Sequence, residues 1–220
     1  MRIAYINPNA TRTMTRAVVD TARRVLPGVD ILGFTNSDGP PVIEGAADGA
    51  AAVPGVLARL ETARAQGADA IVIACFDDTG LAEAQAHADC PVLGIGQSAF
   101  AMAQLLGLRF SVVTSVAAAV PVIEGNIDRL GFAGTCVSIR ASDLPVLTIE
   151  AGAPATVARL AQEIDTAGRD DGAGCVILGC AGMSALKPAL DRQATVPLID
   201  GVAASACLAR AAVDCLVAAG

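Results

Sequence analysis

Two cysteines in this 220-residue chain close apolar runs that read as buried strands. Ile71-Val72-Ile73-Ala74-Cys75 and Val176-Ile177-Leu178-Gly179-Cys180 each end in a thiol, and each is followed by a small-residue turn and a helical pattern. The reactive form of a thiol is its thiolate, and a helix N-terminus lowers the free value of about 8.5 by one to several units. One thiolate facing one thiol makes a two-base pair: one sulfur removes a proton from a carbon beside a carbonyl, the other returns a proton on the opposite face, and a stereocentre inverts. The carbanion then has to be held as an enolate, which calls for backbone N–H groups, amides or hydroxyls around its oxygen. Asn7, Thr79, Thr114 and Ser115 fall at strand ends where they could do this; Phe76 follows the first cysteine, and Gly182 lets the backbone approach a ligand after the second. Each polar member of that set competes with a plain cap or turn role. Asp77, Asp78 and Thr79 read as N-cap residues of the helix after Cys75, and Ser184 as a cap after Cys180.

The elements that position the pair occur twice. Cys75 is followed 16 residues later by Pro91-Val92-Leu93-Gly94-Ile95-Gly96, and Cys180 is followed 17 residues later by Pro197-Leu198-Ile199-Asp200-Gly201. Upstream, Arg2-Ile3-Ala4-Tyr5-Ile6-Asn7 has a counterpart in Arg109-Phe110-Ser111-Val112-Val113-Thr114. Asn7 precedes Cys75 by 68 residues and Thr114 precedes Cys180 by 66, so three landmarks agree and imply an internal duplication into two similar lobes. The segment Pro41-Val42-Ile43-Glu44-Gly45 recurs as 121–125 at a different offset and is read as coincidence.

Short β-branched runs predict strands at 2–6, 29–34, 70–74, 91–95, 109–113, 135–140, 174–178 and 196–199. Helical periodicity lies between them, at 11–25, 48–66, 79–88, 97–107, 117–131, 154–169, 183–193 and 202–218. Alternation of this kind means βαβ units, an α/β fold with mainly parallel sheets flanked by helices. Ligands in such sheets bind beyond the carboxyl ends of the strands, where both cysteines fall. No linker separates the halves. The repeat places one lobe at 1–96 plus 203–220 and the other at 97–202, with the active site in the cleft between them.

Composition excludes several classes. The 54% hydrophobic content, with 3% aromatic residues and no Trp, is that of buried parallel strands and Ala-rich helices. Charged, Gly or Pro residues interrupt every apolar run before it could span a bilayer, and no signal-peptide core follows Met1-Arg2, so a cytoplasmic protein without a membrane partner is expected. A net charge of −7 argues against nucleic acid, and Arg12, Arg16, Arg23 and Arg24 read as the solvated face of one helix. Seven cysteines are an odd count for a disulfide framework, and Cys90, Cys136, Cys175, Cys207 and Cys215 read as small core hydrophobes. A single His and no C-x-x-C pair argue against zinc, and His87 reads as a surface residue near a helix end.

Ile6-Asn7-Pro8-Asn9, Ala74-Cys75-Phe76-Asp77-Asp78-Thr79-Gly80-Leu81, Phe110-Ser111-Val112-Val113-Thr114 and Leu178-Gly179-Cys180-Ala181-Gly182-Met183 resemble the aspartate/glutamate/hydantoin racemase superfamily, most closely its hydantoin racemase branch. The likeness extends to Asp143-Leu144-Pro145-Val146-Leu147 and Val196-Pro197-Leu198-Ile199-Asp200-Gly201-Val202, so it covers essentially the whole chain. It implies two pseudo-symmetric α/β lobes, a two-cysteine site that needs no cofactor or metal, and a homo-oligomer. One departure stands out: Thr79 occupies the place where the branch commonly has proline after Gly-Asp or Asp-Asp, which bears on substrate preference and leaves the thiol pair untouched.

The strand-end turns carry no Lys or Arg beyond Arg12, whereas an amino-acid or dicarboxylate substrate wants cationic partners. A neutral 5-substituted hydantoin, with an acidic C5–H and ring amides, fits better. Allantoin, a hydantoin with a ureido substituent, is the nearest competitor, followed by an Asp/Glu-type amino-acid substrate. A small-molecule binding protein without turnover is the reading from a different class. Two thiols at equivalent strand ends argue for the enzyme.

Overall fold

The computed structural model describes residues 1–218. Two parallel four-stranded sheets carry the molecule, in the orders β2-β1-β3-β4 and β6-β5-β7-β8. The first is built from β1 (Arg2–Asn7), β2 (Asp30–Thr35), β3 (Ala70–Ile73) and β4 (Val92–Gly94), and the second from β5 (Phe110–Thr114), β6 (Cys136–Ala141), β7 (Cys175–Gly179) and β8 (Leu198–Asp200). Replacing each strand number n in the first sheet by n + 4 yields the second, so the duplication seen in the sequence is a duplication of topology. In both sheets the cysteine strand lies beside the strand that opens the repeat: Ile6 pairs with Ile73, and Thr114 with Gly179.

Side chains alternate between the two faces of each strand, and the central strands of both sheets divide accordingly. Ile3, Tyr5, Val72, Phe110, Val112, Cys175 and Ile177 enter one central core shared by both sheets. Ala4, Ile6, Ile71 and Ile73 face outward onto α2 (Ala46–Ala65) and α3 (Leu81–His87), while Val113, Val176 and Leu178 face outward onto α7 (Pro154–Arg169) and α8 (Lys187–Asp191). Burial on both faces explains why the strands read as continuous apolar runs. The central layer holds α1 (Arg12–Val25), α4 (Ile95–Leu105), α5 (Val120–Arg129) and α9 (Gly201–Ala218). Phe100 of α4 stacks on Phe110 at 5.5 Å and meets Phe76 edge-on at 5.6 Å.

The helices that follow β4 and β8 pack on each other. The last helix contacts α1 and strands of both sheets, and α4 contacts α5 and strands of both sheets, so both helices lie between the lobes expected at 1–96 plus 203–220 and 97–202. Residues 219 and 220 of that division lie outside the described residues. The helix starts approach so closely that a Cβ on Gly201 would stand 2.5 Å from the Ile95 carbonyl oxygen, a backbone atom that cannot move aside. A Gly201→Ala variant is therefore expected to lose about 2 kcal/mol or more in urea unfolding, despite the better helix propensity of alanine. Gly125, inside α5 with open space around its Cα, provides the contrast: Gly125→Ala should gain about 0.5–1 kcal/mol.

Element boundaries differ from the sequence expectation mainly after the cysteines. The helix expected from 79 begins at Leu81, and the one expected from 183 shrinks to a 3₁₀ turn at Ala181–Met183 and α8 from Lys187. A short helix, α6 (Val146–Ala151), appears where none was read, because a single turn and a half between Pro145 and the left-handed Gly152 shows too few periods to detect. The two Pro-Val-Ile-Glu-Gly segments are not equivalent: the first lies in the loop before α2, the second in α5. Among the minor cysteines only Cys175 is buried; Cys90 and Cys136 are half-buried, and Cys207 and Cys215 are exposed on the final helix, contrary to the core expectation. Their small, weakly polar side chains report little about which face of an Ala-rich helix they occupy. His87 is exposed in the last turn of α3. Among the described residues, no helix is long and apolar enough to cross a membrane, and no group of three or more His, Cys, Asp or Glu side chains is placed to hold a metal ion.

Candidate active site

The turn after β3 and the turn after β7 bring both thiols to one narrow cleft. Cys75 and Cys180 are free and partly accessible, and both line it. Parallel pairing of β1 with β3 and of β5 with β7 places the sulfurs at matching carboxyl ends. Gly179 is required just before the second thiol: a Cβ there would stand 2.7 Å from Val112 Cγ1 and 2.8 Å from the Val113 carbonyl oxygen. Phe76, Thr114, Ser115 and Gly182 line the same cleft, and Gly182 brings the backbone so near that a Cβ on it would lie 3.7 Å from Cys180 Sγ.

Two expected contacts are placed elsewhere. The Asn7 amide is consumed within its own turn, donating to Asn9 Oδ1, the Thr11 carbonyl and Thr15 Oγ1 and accepting from the Asn9 N–H; Asn9, not Asn7, lines the cleft. Thr79 borders an adjoining cavity behind the Cys75 turn. Phe76 packs its ring on Phe100 besides bordering the cleft, and Thr114 Oγ1 donates to the Gly179 carbonyl at 2.9 Å, tying β5 to β7 beside the second thiol.

Sequence reasoning missed Asp77 as a cleft residue, together with the apolar walls Met14, Ile43 and Val146. Ile43 and Val146 come from opposite halves of the chain, and the Glu44 carboxylate joins them by accepting the Val146 N–H at 2.7 Å. Asp77 was read as a helix cap because acidic residues before a helix usually are. In the structure α3 is preceded by a left-handed Gly80 without side-chain capping, and the neighbouring Asp78 reaches across to a different helix. Its carboxylate accepts the N–H groups of Gly96 and Gln97 at 2.9 and 2.7 Å, anchoring the start of α4. Ser184 likewise donates to Asp200 Oδ1 at 2.7 Å, and that carboxylate accepts the Val202 N–H at 3.0 Å at the start of α9. No spacing rule links a turn to a helix that starts 17 residues later.

The electrostatics run against the expectation of a ready thiolate. Burial pushes the Cys75 thiol well above its usual range, the Asp77 charge adds to this, and the Asp77 N–H and the Thr79 hydroxyl oppose it. Burial also pushes Cys180 up to about 11, with the Gly182 N–H acting in the opposite direction. The helices that follow start too late, or are too short, to aim a full helix terminus at either sulfur. Asp77 itself is raised to about 7 by burial. No Lys or Arg side chain is among the residues lining the cleft. The arrangement offers two protonated thiols, a carboxyl that titrates near neutrality, a hydroxyl-bearing wall and no cation.

The sequence pattern of the Asp/Glu/Hydantoin racemase family matches residues 3–209. A hydantoin racemase of Rhizobium meliloti is 43% identical over 212 residues, covering 96% of this chain and 88% of that protein. The structure of allantoin racemase from Klebsiella pneumoniae superposes with a TM-score of 0.91 at 39% identity, covering all of this chain and 89% of the other. That of allantoin racemase from Pseudomonas fluorescens superposes at 0.93 with 33% identity, over 98% and 92% of the two chains.

Proposed function

This chain belongs to the Asp/Glu/hydantoin racemase family and is an isomerase of the racemase type, and we propose that it inverts C5 of 5-substituted hydantoins with Cys75 and Cys180 as the two bases. The observation that carries the substrate class is a cleft that presents two thiols and no cationic side chain. A zwitterionic or dicarboxylate amino acid would be desolvated there without a counter-charge, whereas a neutral ring with amide edges needs only hydrogen bonds. Work on hydantoin-type substrates by the relatives points the same way.

In the proposed reaction one cysteine, as thiolate, takes the C5 proton and becomes a thiol. The electron pair left on C5 delocalises onto the C4 carbonyl oxygen. The opposite thiol then delivers its proton to the other face of C5 and is left as thiolate. Both sulfurs have exchanged protonation state, and a proton exchanged through solvent, or a turnover in the reverse sense, resets them. Backbone N–H groups of Asp77 and Gly182, which already favour charge at the sulfurs, are the fixed dipoles of the site, with Ser115 on the cleft wall. Every step is a proton transfer, so none requires a cofactor. We further infer a cytoplasmic homo-oligomer. An apolar groove of Pro91, Leu93, Ala101, Leu130, Phe132 and Leu208, with exposed Leu105 and Leu106, supports the oligomer.

The test is loss of optical rotation from L- and D-5-alkylhydantoins and from allantoin, run beside L-aspartate and L-glutamate. Hydantoins are expected to racemise with uptake of one deuterium at C5 from heavy water, and the amino acids to keep their rotation. Turnover of aspartate or glutamate alone would overturn the substrate class; binding of hydantoins without any exchange would favour the binding-protein reading.

A further inference from the structure

Three arginines converge on one edge of the first sheet, away from the thiols. Arg12 and Arg16 stand one turn apart on α1, Arg59 comes from α2, and with Thr15, Thr35 and Ser37 they line an open groove along β2. Because β2 is an edge strand, helices from the two faces of the sheet meet there. The α1 arginines do not form one solvated face. Arg23 donates to the Ile31 carbonyl at 3.0 Å and Arg24 to Thr21 Oγ1 at 2.9 Å. Arg12, Arg16 and Arg59 form no ion pair among the described residues, and no Asp or Glu lines their groove. Arg59 is half-buried, and its Nε lies out of solvent without an acceptor. A partly desolvated guanidinium lacking a counter-charge is costly to a fold, and an anion in the groove would supply one.

The second sheet provides the internal comparison. Its corresponding edge, β6 with α7, also carries arginines, and carboxylates answer them: Arg140 pairs with Glu163 at 2.7 Å and Asp171 at 3.0 Å, and Arg159 pairs with Glu163. The first sheet keeps cations at this edge and lacks the acids, in a chain whose net charge is −7.

We propose that the groove along β2 binds a phosphate dianion, free or as the end of a phosphate monoester. Three guanidiniums supply more charge than one carboxylate would neutralise, and their planar forks match the oxygen edges of a phosphoryl group. Thr35 adds a donor. Its hydroxyl lies 2.7 Å from Thr15 Oγ1, which also accepts the Asn7 amide N–H at 3.1 Å. With Thr15 donating to Thr35, the Thr35 proton is left for an oxygen in the groove.

The test is calorimetric titration of the full chain at neutral pH and constant ionic strength, with inorganic phosphate and glycerol 3-phosphate as separate titrants. One site per chain is expected, with a Kd of about 1 mM or tighter for at least one of them. A tighter monoester points to that source and a tighter inorganic ion to the free one. Arg16→Gln and Arg59→Gln should each weaken binding about tenfold, and Arg59→Lys, which keeps the charge and loses the fork, should recover only part of it. Arg16 is exposed, so its variant reads the site even where Arg59→Gln disturbs packing. Arg210→Gln removes a cation paired with Asp214 outside the groove and should leave binding unchanged, which separates the site from net charge. Displacement by chloride at equal concentration, or affinity that neither Arg16→Gln nor Arg59→Gln weakens, overturns the site. Absence of phosphate binding overturns it as well; if Arg16→Gln then also loses assembly, an acidic surface of a second copy covers the groove instead. The readout needs no turnover, so its failure leaves the racemase reading standing.

Discussion

Cys75→Ala and Cys180→Ala are each expected to lose racemisation by at least about 10³-fold, within the range by which a positioned acid or base accelerates proton transfer. Both variants should stay folded. Each thiol is partly accessible at a cleft, so truncation leaves no sealed void. The informative readout is isotopic. A two-base site needs both sulfurs for inversion but only one to remove and return a proton on its own face. Cys75→Ala should therefore still exchange the C5 hydrogen for deuterium in one enantiomer without inverting it, and Cys180→Ala should do so in the other. Chiral chromatography with mass spectrometry after incubation in heavy water resolves the four combinations. Racemisation surviving in both variants, or exchange of the same enantiomer by both, would sink the assignment of opposed bases.

Asp77→Asn is expected to act on pH dependence and on stability in ways that have one cause. The Asp77 carboxyl is raised to about 7 by burial, and its charge pushes both Cys75 and Cys180 up. Besides the two thiols it also faces Asp78, and Glu44 acts on the Cys180 side. Because Cys180 sits at about 11 and Cys75 well above its usual range, kcat/KM for 5-methylhydantoin should climb with pH across the neutral and mildly alkaline range as thiolate forms. Removing the Asp77 charge should move that rise to lower pH by roughly one unit. A profile that does not move would show that the Asp77 charge does not govern the thiols.

The stability arm has a definite sign. The folded pKa of Asp77 lies above its unfolded value, so between about pH 4 and 7 the folded state binds more protons and stability falls as pH rises. Above pH 7 the full penalty of a buried carboxylate is present, on the order of 4 kcal/mol from the shift of about three units. Asparagine has the same shape and no charge. It should recover about 2–4 kcal/mol at pH 8 and almost nothing at pH 4 in denaturant unfolding. Equal effects at the two pH values would mean that burial of charge is not what Asp77 costs the fold.

The fold was largely readable because both of its signals are local and repeated. Strands buried on two faces appear as short runs of Val, Ile, Leu and Ala, Gly and Pro punctuate them, and a doubled order of landmarks announces two sheets with one topology. The thiol pair was readable for the same reason, since a residue at the end of a buried parallel strand is committed to the ligand edge of the sheet. Basic residues absent from the turns likewise anticipated a cleft without a cation.

Other features depended on contacts between distant segments. Asn7 and Asn9 both follow β1, and only the hydrogen bonds around Thr11 and Thr15 decide that the first is consumed and the second lines the cleft. Asp77 and Asp78 are adjacent and identical in type, yet one is left unpaired beside the thiols while the other anchors α4. Their division of labour follows from where α4 starts, and no pattern within the turn encodes it. The protonation state of the thiols was misjudged for the same reason. Strand ends and a following helix argue for thiolates, but burial in the assembled cleft and the nearby Asp77 carboxyl outweigh the few N–H groups that reach the sulfurs. Residue types and their order along the chain specify which groups are available. Only the tertiary structure decides which of them remain unpaired and in what dielectric, because desolvation and partner choice are properties of the packed whole.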